Sequence, residues 1–210
     1  MKKPIFTELI KKDYQEKNLN NFNVRPEIKD KTLPELQELA QADRLNFEIM
    51  LLNITGDINS GMLIRLGHLL GAKNIIILGR RKIDERTTVG AEHYQKVEKY
   101  DALNEDLTIN KDEFFKILDK NKSYFPVFIE IGGKKLGELK WKTEIPKDTT
   151  PIFIFGNENR GISEEILEEA QKRNLGTMVS IPQKGVMKSL NVVTAASIVL
   201  WDYVKEMGLI

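Results

Sequence analysis

The sequence predicts an α/β fold, a mostly parallel sheet with helices on both faces. Three observations lead there. Short apolar runs such as "NIIILG" (74–79) and "PIFIF" (151–155) are continuous, as expected of strands covered on both faces. These runs alternate with stretches of helical apolar spacing, the order that builds parallel β-α-β units. Finally, three strand ends run into polar, glycine-bearing junctions, and in such sheets ligands sit at the carboxyl ends of the strands.

Along the chain, residues 1–45 contain two short helical stretches, "FTELIKKDYQEK" and "TLPELQELAQAD", joined by polar sequence. They are too few for a core of their own, so they read as an N-terminal helical arm packed on the main domain or on a partner subunit. The main domain, 46–210, opens with the strand "FEIMLLNI" (47–54) and the helix "GMLIRLGHLLGA" (61–72). "NIIILG" is the second strand, "KDEFFKILDKN" (111–121) a helix and "FPVFIEI" (125–131) a strand. "PIFIF" is followed by the helix "SEEILEEAQKR" (163–173), the strand "TMVSIP" (177–182) and a long final helix in "SLNVVTAASIVLWDYVKEM" (189–207).

Composition excludes several chemistries. The chain has no cysteine and two histidines, so it offers no disulfide framework, thiolate nucleophile or cysteine metal site; no metal is expected. This fits a reducing, cytoplasmic compartment. No apolar run reaches membrane-spanning length, and the start is too charged for a secretory signal. The formal net charge of +1 does not announce a nucleic-acid partner. "GRRK" (79–82) is a local basic run, open to reading as a solvated loop or a phosphate-facing patch.

The chemistry is expected at the three junctions. In "NITGDINSGMLIR" (53–65), Asn59 and Ser60 are candidate helix caps. At 100° per residue, Met62, Leu63, Leu66, Leu69 and Leu70 form the apolar stripe, with Arg65 at its edge. An arginine there either snorkels to solvent or holds a partner. In "GNENRG" (156–161), Gly156 and Gly161 allow unusual backbone angles and close ligand approach. Glu158 either orients a substrate group or belongs to a polar turn, with Ser163 capping the next helix. The stretch matches neither the phosphate loop nor G-x-G-x-x-G, which argues against kinase and dehydrogenase chemistry. In "IPQKGVMKSLNVVTAAS" (181–197), Ser189 stands at the expected N-cap, and Asn191 falls in a first turn whose small neighbours imply close packing.

Together the junctions resemble the three motifs of the SpoU (TrmH-like) family of SPOUT RNA 2′-O-ribose methyltransferases. Asn59 and Arg65 match the first motif, Gly156, Glu158 and Gly161 the second, and Ile181, Pro182, Gly185, Ser189, Leu190 and Asn191 the third. The resemblance spans about residues 46–207. It departs at Ile58, where the family often has proline, and in the first 45 residues, which match no known RNA-binding extension. It implies a C-terminal deep trefoil knot holding S-adenosyl-L-methionine, a homodimer, and a tRNA or rRNA substrate. Implied cofactor-binding residues are Phe155, Gly156, Asn157, Glu158, Gly161, Ile181, Pro182, Val186, Ser189 and Leu190. Implied catalytic residues are Arg65, Asn59, Glu158, Ser189 and Asn191, with Arg65 positioning the ribose hydroxyl or a phosphate, since a guanidine with a pKa above ~12 is an improbable base. A non-catalytic RNA-binding protein of the same fold and a base-methylating enzyme are the alternatives.

Overall fold

The structure is a computed structural model that describes residues 23–80, 82–187 and 189–210. The first expected arm helix, at 6–17, lies outside the described residues, as does Arg81 of the basic run. The second arm helix is present as α1 (Leu33–Ala42), opened by a capping box in which Thr32 and Glu35 satisfy each other's groups. It is followed by β1 (Leu45–Leu52), α2 (Asp57–Leu69), β2 (Ala72–Leu78), the short helix α3 (Glu85–Thr88) and β3 (Val97–Tyr100). Next come α4 (Lys111–Leu118), β4 (Tyr124–Lys135), α5 (Trp141–Glu144) and β5 (Thr150–Phe155). The chain ends with α6 (Glu164–Lys172), β6 (Thr177–Ser180) and α7 (Val192–Met207).

The strands form one six-stranded sheet in the order β3-β2-β1-β5-β4-β6, with every pairing parallel. Its two faces are covered separately. On one, Phe47, Ile49, Leu51, Ile75 and Phe153 meet Leu63 and Ile64 of α2, Trp141 of α5, and Val199 and Leu200 of α7. On the other, Met50, Leu52, Ile76, Ile152 and Ile154 meet Phe114 and Phe115 of α4 and Ile166 of α6. Burial on both sides explains why these strands read as continuous apolar runs. β3 went unread because it is short, polar and at the sheet edge, with Lys99 exposed.

Helix α2 differs from its expected form in two ways. It begins at Asp57 with Gly56 as N-cap, so Asn59 and Ser60 lie inside it and do not cap it. Its buried face carries Leu63, Ile64 and Gly67, while Met62 and Leu69 are exposed. The glycine decides the rotation. It lets the helix sit on β1 and β2 so closely that a Cβ at Gly67 would come within 2.8 Å of Ile75 and 3.0 Å of Ile49. Arg65 therefore stands clear of the core, on the exposed face.

Candidate active site

Three loops at the carboxyl end of the sheet converge around Glu158. The loop after β5 closes on itself: Asn157 N–H donates to Gly161 O (3.1 Å) and Gly161 N–H returns to Asn157 O (2.7 Å). Both glycines are needed for that closure. A Cβ at Gly156 would lie 2.4 Å from the Gly161 carbonyl carbon, and Gly161 holds φ of +65°. The closed loop projects Glu158 toward the loop after β1. There its Oε2 accepts from Thr55 N–H (2.6 Å) and the Thr55 hydroxyl (2.8 Å), and its Oε1 from Asn59 Nδ2 (2.8 Å). Burial by itself would push this carboxyl up, but the donors from Thr55 and Asn59 together outweigh it and hold it below the usual range. Glu158 is thus an ionised carboxylate with its acceptors occupied. It ties two junctions together and is not placed to take a proton.

The third junction joins through Asn191, which, and not Ser189, is the N-cap of α7: its Oδ1 accepts from Val193 N–H (2.9 Å) and Thr194 N–H (3.3 Å). Its Nδ2 donates to Asn59 Oδ1 (3.3 Å). One chain of hydrogen bonds, Asn191 to Asn59 to Glu158, therefore links all three motifs. Asn157 reinforces it, donating to Asn53 O (2.6 Å) and to the Thr55 hydroxyl (2.9 Å). Ser163 occupies the N-cap of α6 without a side-chain bond to it.

Beside this chain lies a cavity of ≈210 Å3. Phe155, Gly156, Asn157, Glu158 and Gly161 line it from the second junction, and Ile181, Ser189 and Leu190 from the third. Pro182 and Val186 are not on its wall, and Val186 is fully solvent-exposed. Asn59, Asn191 and Arg65 are also off the wall. Arg65 is exposed and has no hydrogen-bond or ion-pair partner among the described residues.

Ser180 and Glu130 are among the wall residues that sequence reading did not assign. Ser180 donates from its hydroxyl to Gly133 O (2.8 Å), and Glu130 accepts from Ile162 N–H (2.8 Å). Thr55, off the wall but holding Glu158, was also missed. It stood within the first quoted junction and was legible as a hydroxyl; Glu130, inside a strand-like apolar run, carried no signal.

The wall's donor set suits S-adenosylmethionine. Apolar Ile129, Phe155, Ile181 and Leu190 can take a purine, while the described wall residues include two carboxylates, Glu130 and Glu158, and one cation, Arg160. Arg160 is exposed and turned to Asp106 O (3.2 Å). Such a balance favours a cationic nucleoside over a nucleotide with several phosphates.

Residues 46–201 match the SpoU rRNA Methylase family. This chain belongs to that family. It is an RNA methyltransferase. An uncharacterized tRNA/rRNA methyltransferase of Borreliella burgdorferi is 26% identical to this SpoU chain over 90% of it and 76% of the relative. The tRNA (guanosine(18)-2′-O)-methyltransferase of Aquifex aeolicus is 25% identical, over 83% and 76%. In structure, the A. aeolicus TrmH/SpoU tRNA modifying enzyme shares the fold with a TM-score of 0.63, 23% identity and 84% of each chain covered. The SpoU methyltransferase AviRb of Streptomyces viridochromogenes in complex with AdoMet shares it with a TM-score of 0.59 and 20% identity, over 78% of this chain and 59% of that one. Among the described residues no helix is long and apolar enough to cross a membrane, and no cluster of histidine and acidic side chains could hold a metal.

Proposed function

We propose that this enzyme methylates a ribose 2′-hydroxyl of a tRNA or rRNA, in a domain spanning 46–210 to which residues 1–45 are an arm. The observation that carries the reading is the chain of hydrogen bonds from Asn191 through Asn59 to Glu158, which sets the three motifs side by side next to the cavity. When bound, the cofactor supplies an electrophilic methyl group. Phe155, Gly156, Asn157, Gly161, Ile181, Ser189 and Leu190 would hold it, with Pro182 and Val186 on the loop flanking the cavity.

The chain's own residues then handle the acceptor. Arg65 extends from α2, two turns beyond Asn59; its guanidinium has no partner among the described residues and is able to grip a phosphate or ribose oxygen. It acts by position and charge, since aligning the hydroxyl supplies much of such a rate. Glu158, Asn59 and Asn191 hold α2 and the loops in register. Ser189, exposed at the cavity rim, has a hydroxyl available to the ribose or the cofactor.

Two features of the family reading belong to the same proposal. A C-terminal trefoil knot is supported by the chain path: β6 lies at the sheet edge beside β4, while α7 returns to pack on α2 and α5. A homodimer is supported by the exposed apolar residues of two packed helices, Ile58, Met62 and Leu69 on α2 and Ile198 and Trp201 on α7. The test is to treat RNA with pure protein and labelled S-adenosylmethionine and map the methylated nucleotides. Label in ribose at a defined tRNA or rRNA position is expected; label in a base overturns the 2′-hydroxyl assignment.

A further inference from the structure

The β4–β6 ladder of the sheet is interrupted, and the interruption faces the cavity. In the β4–β6 ladder both Ile129 and Lys134 pair with Val179, so Glu130, Ile131, Gly132 and Gly133 leave the ladder as a bulge and return to it. The return is tight. A Cβ on Gly133 would come within 2.6 Å of the Met178 and Val179 backbone. Bulges of this kind re-aim a side chain next to a site, and the one re-aimed here is Glu130, on the cavity wall.

Its carboxylate is held from two sides. Oε2 accepts from Ile162 N–H (2.8 Å), just past the Gly156–Gly161 loop, and Oε1 from Ile131 N–H (2.9 Å). Gly161 makes room for it, because a Cβ there would stand 2.5 Å from Oε2. A carboxylate has about four lone-pair positions, and two of these are filled. The other polar groups of the wall are spent or loose. Glu158 and Asn157 are committed to the loop after β1. Ser180 is committed to Gly133. Gln183, Ser189 and Asn159 are exposed. Glu130 is the wall's half-buried, immobilised acceptor with capacity left, beside the apolar Ile129, Phe155 and Ile181.

We infer that Glu130 is a specificity-determining residue that accepts a hydrogen bond from the nucleoside half of S-adenosylmethionine, from a ribose hydroxyl or from the exocyclic amine of the purine. The inference rests on the cavity being the cofactor site. Both groups are neutral donors, one on the flat purine and the other on the sugar joined to it, and a fixed acceptor beside an apolar slot selects such a pairing of donor and ring.

Calorimetric titration of the full chain, wild type and Glu130→Ala, tests it with three ligands. These are S-adenosylhomocysteine, its counterpart lacking the exocyclic amine, and its counterpart lacking both ribose hydroxyls. Glu130→Ala is expected to weaken S-adenosylhomocysteine by at least about tenfold, the scale of a bond to a charged acceptor. It should weaken one truncated ligand by less than about twofold, and that ligand identifies the donor. Glu130→Gln keeps a carbonyl acceptor and should recover part of the loss. An equal loss for all three ligands would reduce Glu130 to a staple of the cavity wall and overturn the inference, as would no loss for S-adenosylhomocysteine in a variant of unchanged melting temperature. Failure of the wild type to bind any of the three would instead remove the cofactor site itself, and the inference with it.

Discussion

Helix α2 has a polar cluster at each end, and the two use similar chemistry for different ends. In its first turn Asn59 joins Glu158 and, across the third junction, Asn191. In its last turn His68 joins Arg44, whose Nη1 donates to His68 O (3.3 Å) and whose Nη2 donates to Tyr94 O (2.9 Å). Nη2 also lies 3.0 Å from His68 Nδ1, which must accept because a guanidinium only donates. The first cluster draws its partners from three loops and adjoins a cavity. The second is closed. Burial, then the neighbouring Arg44 charge, press His68 down to about 4, and burial lowers Arg44 as well. Arg44 Nε and Tyr94 Oη are buried without hydrogen-bond partners among the described residues. Helix α1 is fastened over the same end, with Gln37 donating to His93 O (2.8 Å) and Gln41 to Tyr94 O (3.4 Å). Polar groups at the carboxyl end of the sheet keep loops in place for a ligand; those at the amino end anchor the arm and tolerate unsatisfied atoms in return for packing.

The contrast can be broken at either end. The largest effect is expected from Arg65→Ala, which lies on α2 between the clusters and supports neither. Methyl transfer should fall by about 100-fold or more, while melting temperature and cofactor affinity stay at wild-type values. Near-normal turnover on the correct RNA would remove Arg65 from the mechanism. Glu158→Ala comes next. It strands the Thr55 and Asn59 donors and should cost about 2–3 kcal/mol in urea unfolding, together with weaker cofactor binding by calorimetry. If stability falls and binding does not, the carboxyl-end cluster is structural like the other.

At the amino end, Arg44→Met should cost about 1–3 kcal/mol by leaving the Tyr94 carbonyl and His68 Nδ1 unpaired, with kcat per folded molecule unchanged. Asn191→Ala should cost about 1 kcal/mol as a lost cap, but with a separate drop in activity because it also holds Asn59. A pH dependence, confined to the acid range, separates the two ends further. His68 is depressed in the folded protein, so the unfolded chain takes the proton first. Stability is complete above about pH 6.5 and declines as pH falls from there toward about 4. The melting temperature of His68→Gln should decline less over that window; equal slopes would show that His68 does not contribute.

Much of the fold was legible because the sheet is buried on both faces. Apart from Asn74, which donates hydrogen bonds to Glu48 and Glu98, "NIIILG" and "PIFIF" carry no polar side chain, since each side chain meets a helix layer whichever way it points. The edge strand β3 has no such constraint and was not legible. Within the site, Asn59, Glu158 and Asn191 stood out as polar residues beside strand ends, though their partners did not: Glu158 meets Thr55 and Asn59 from about a hundred positions away. Helical spacing misjudged α2 because it weighed Met62 and Leu69 by hydrophobicity, whereas Gly67 set the contact with β1 and β2 by having no side chain.

By itself, the sequence determined the layered α/β class, the three strand-end junctions and their family, because burial patterns and short motifs are local properties of the chain. Tertiary structure alone decided that Asn191 caps α7 and reaches Asn59, that Glu158 is spent as a tie, and that a bulge in β4 turns Glu130 onto the cavity wall. Those facts are pairings between residues distant in the chain, and a hydrogen bond belongs to neither partner until the fold brings donor and acceptor within reach.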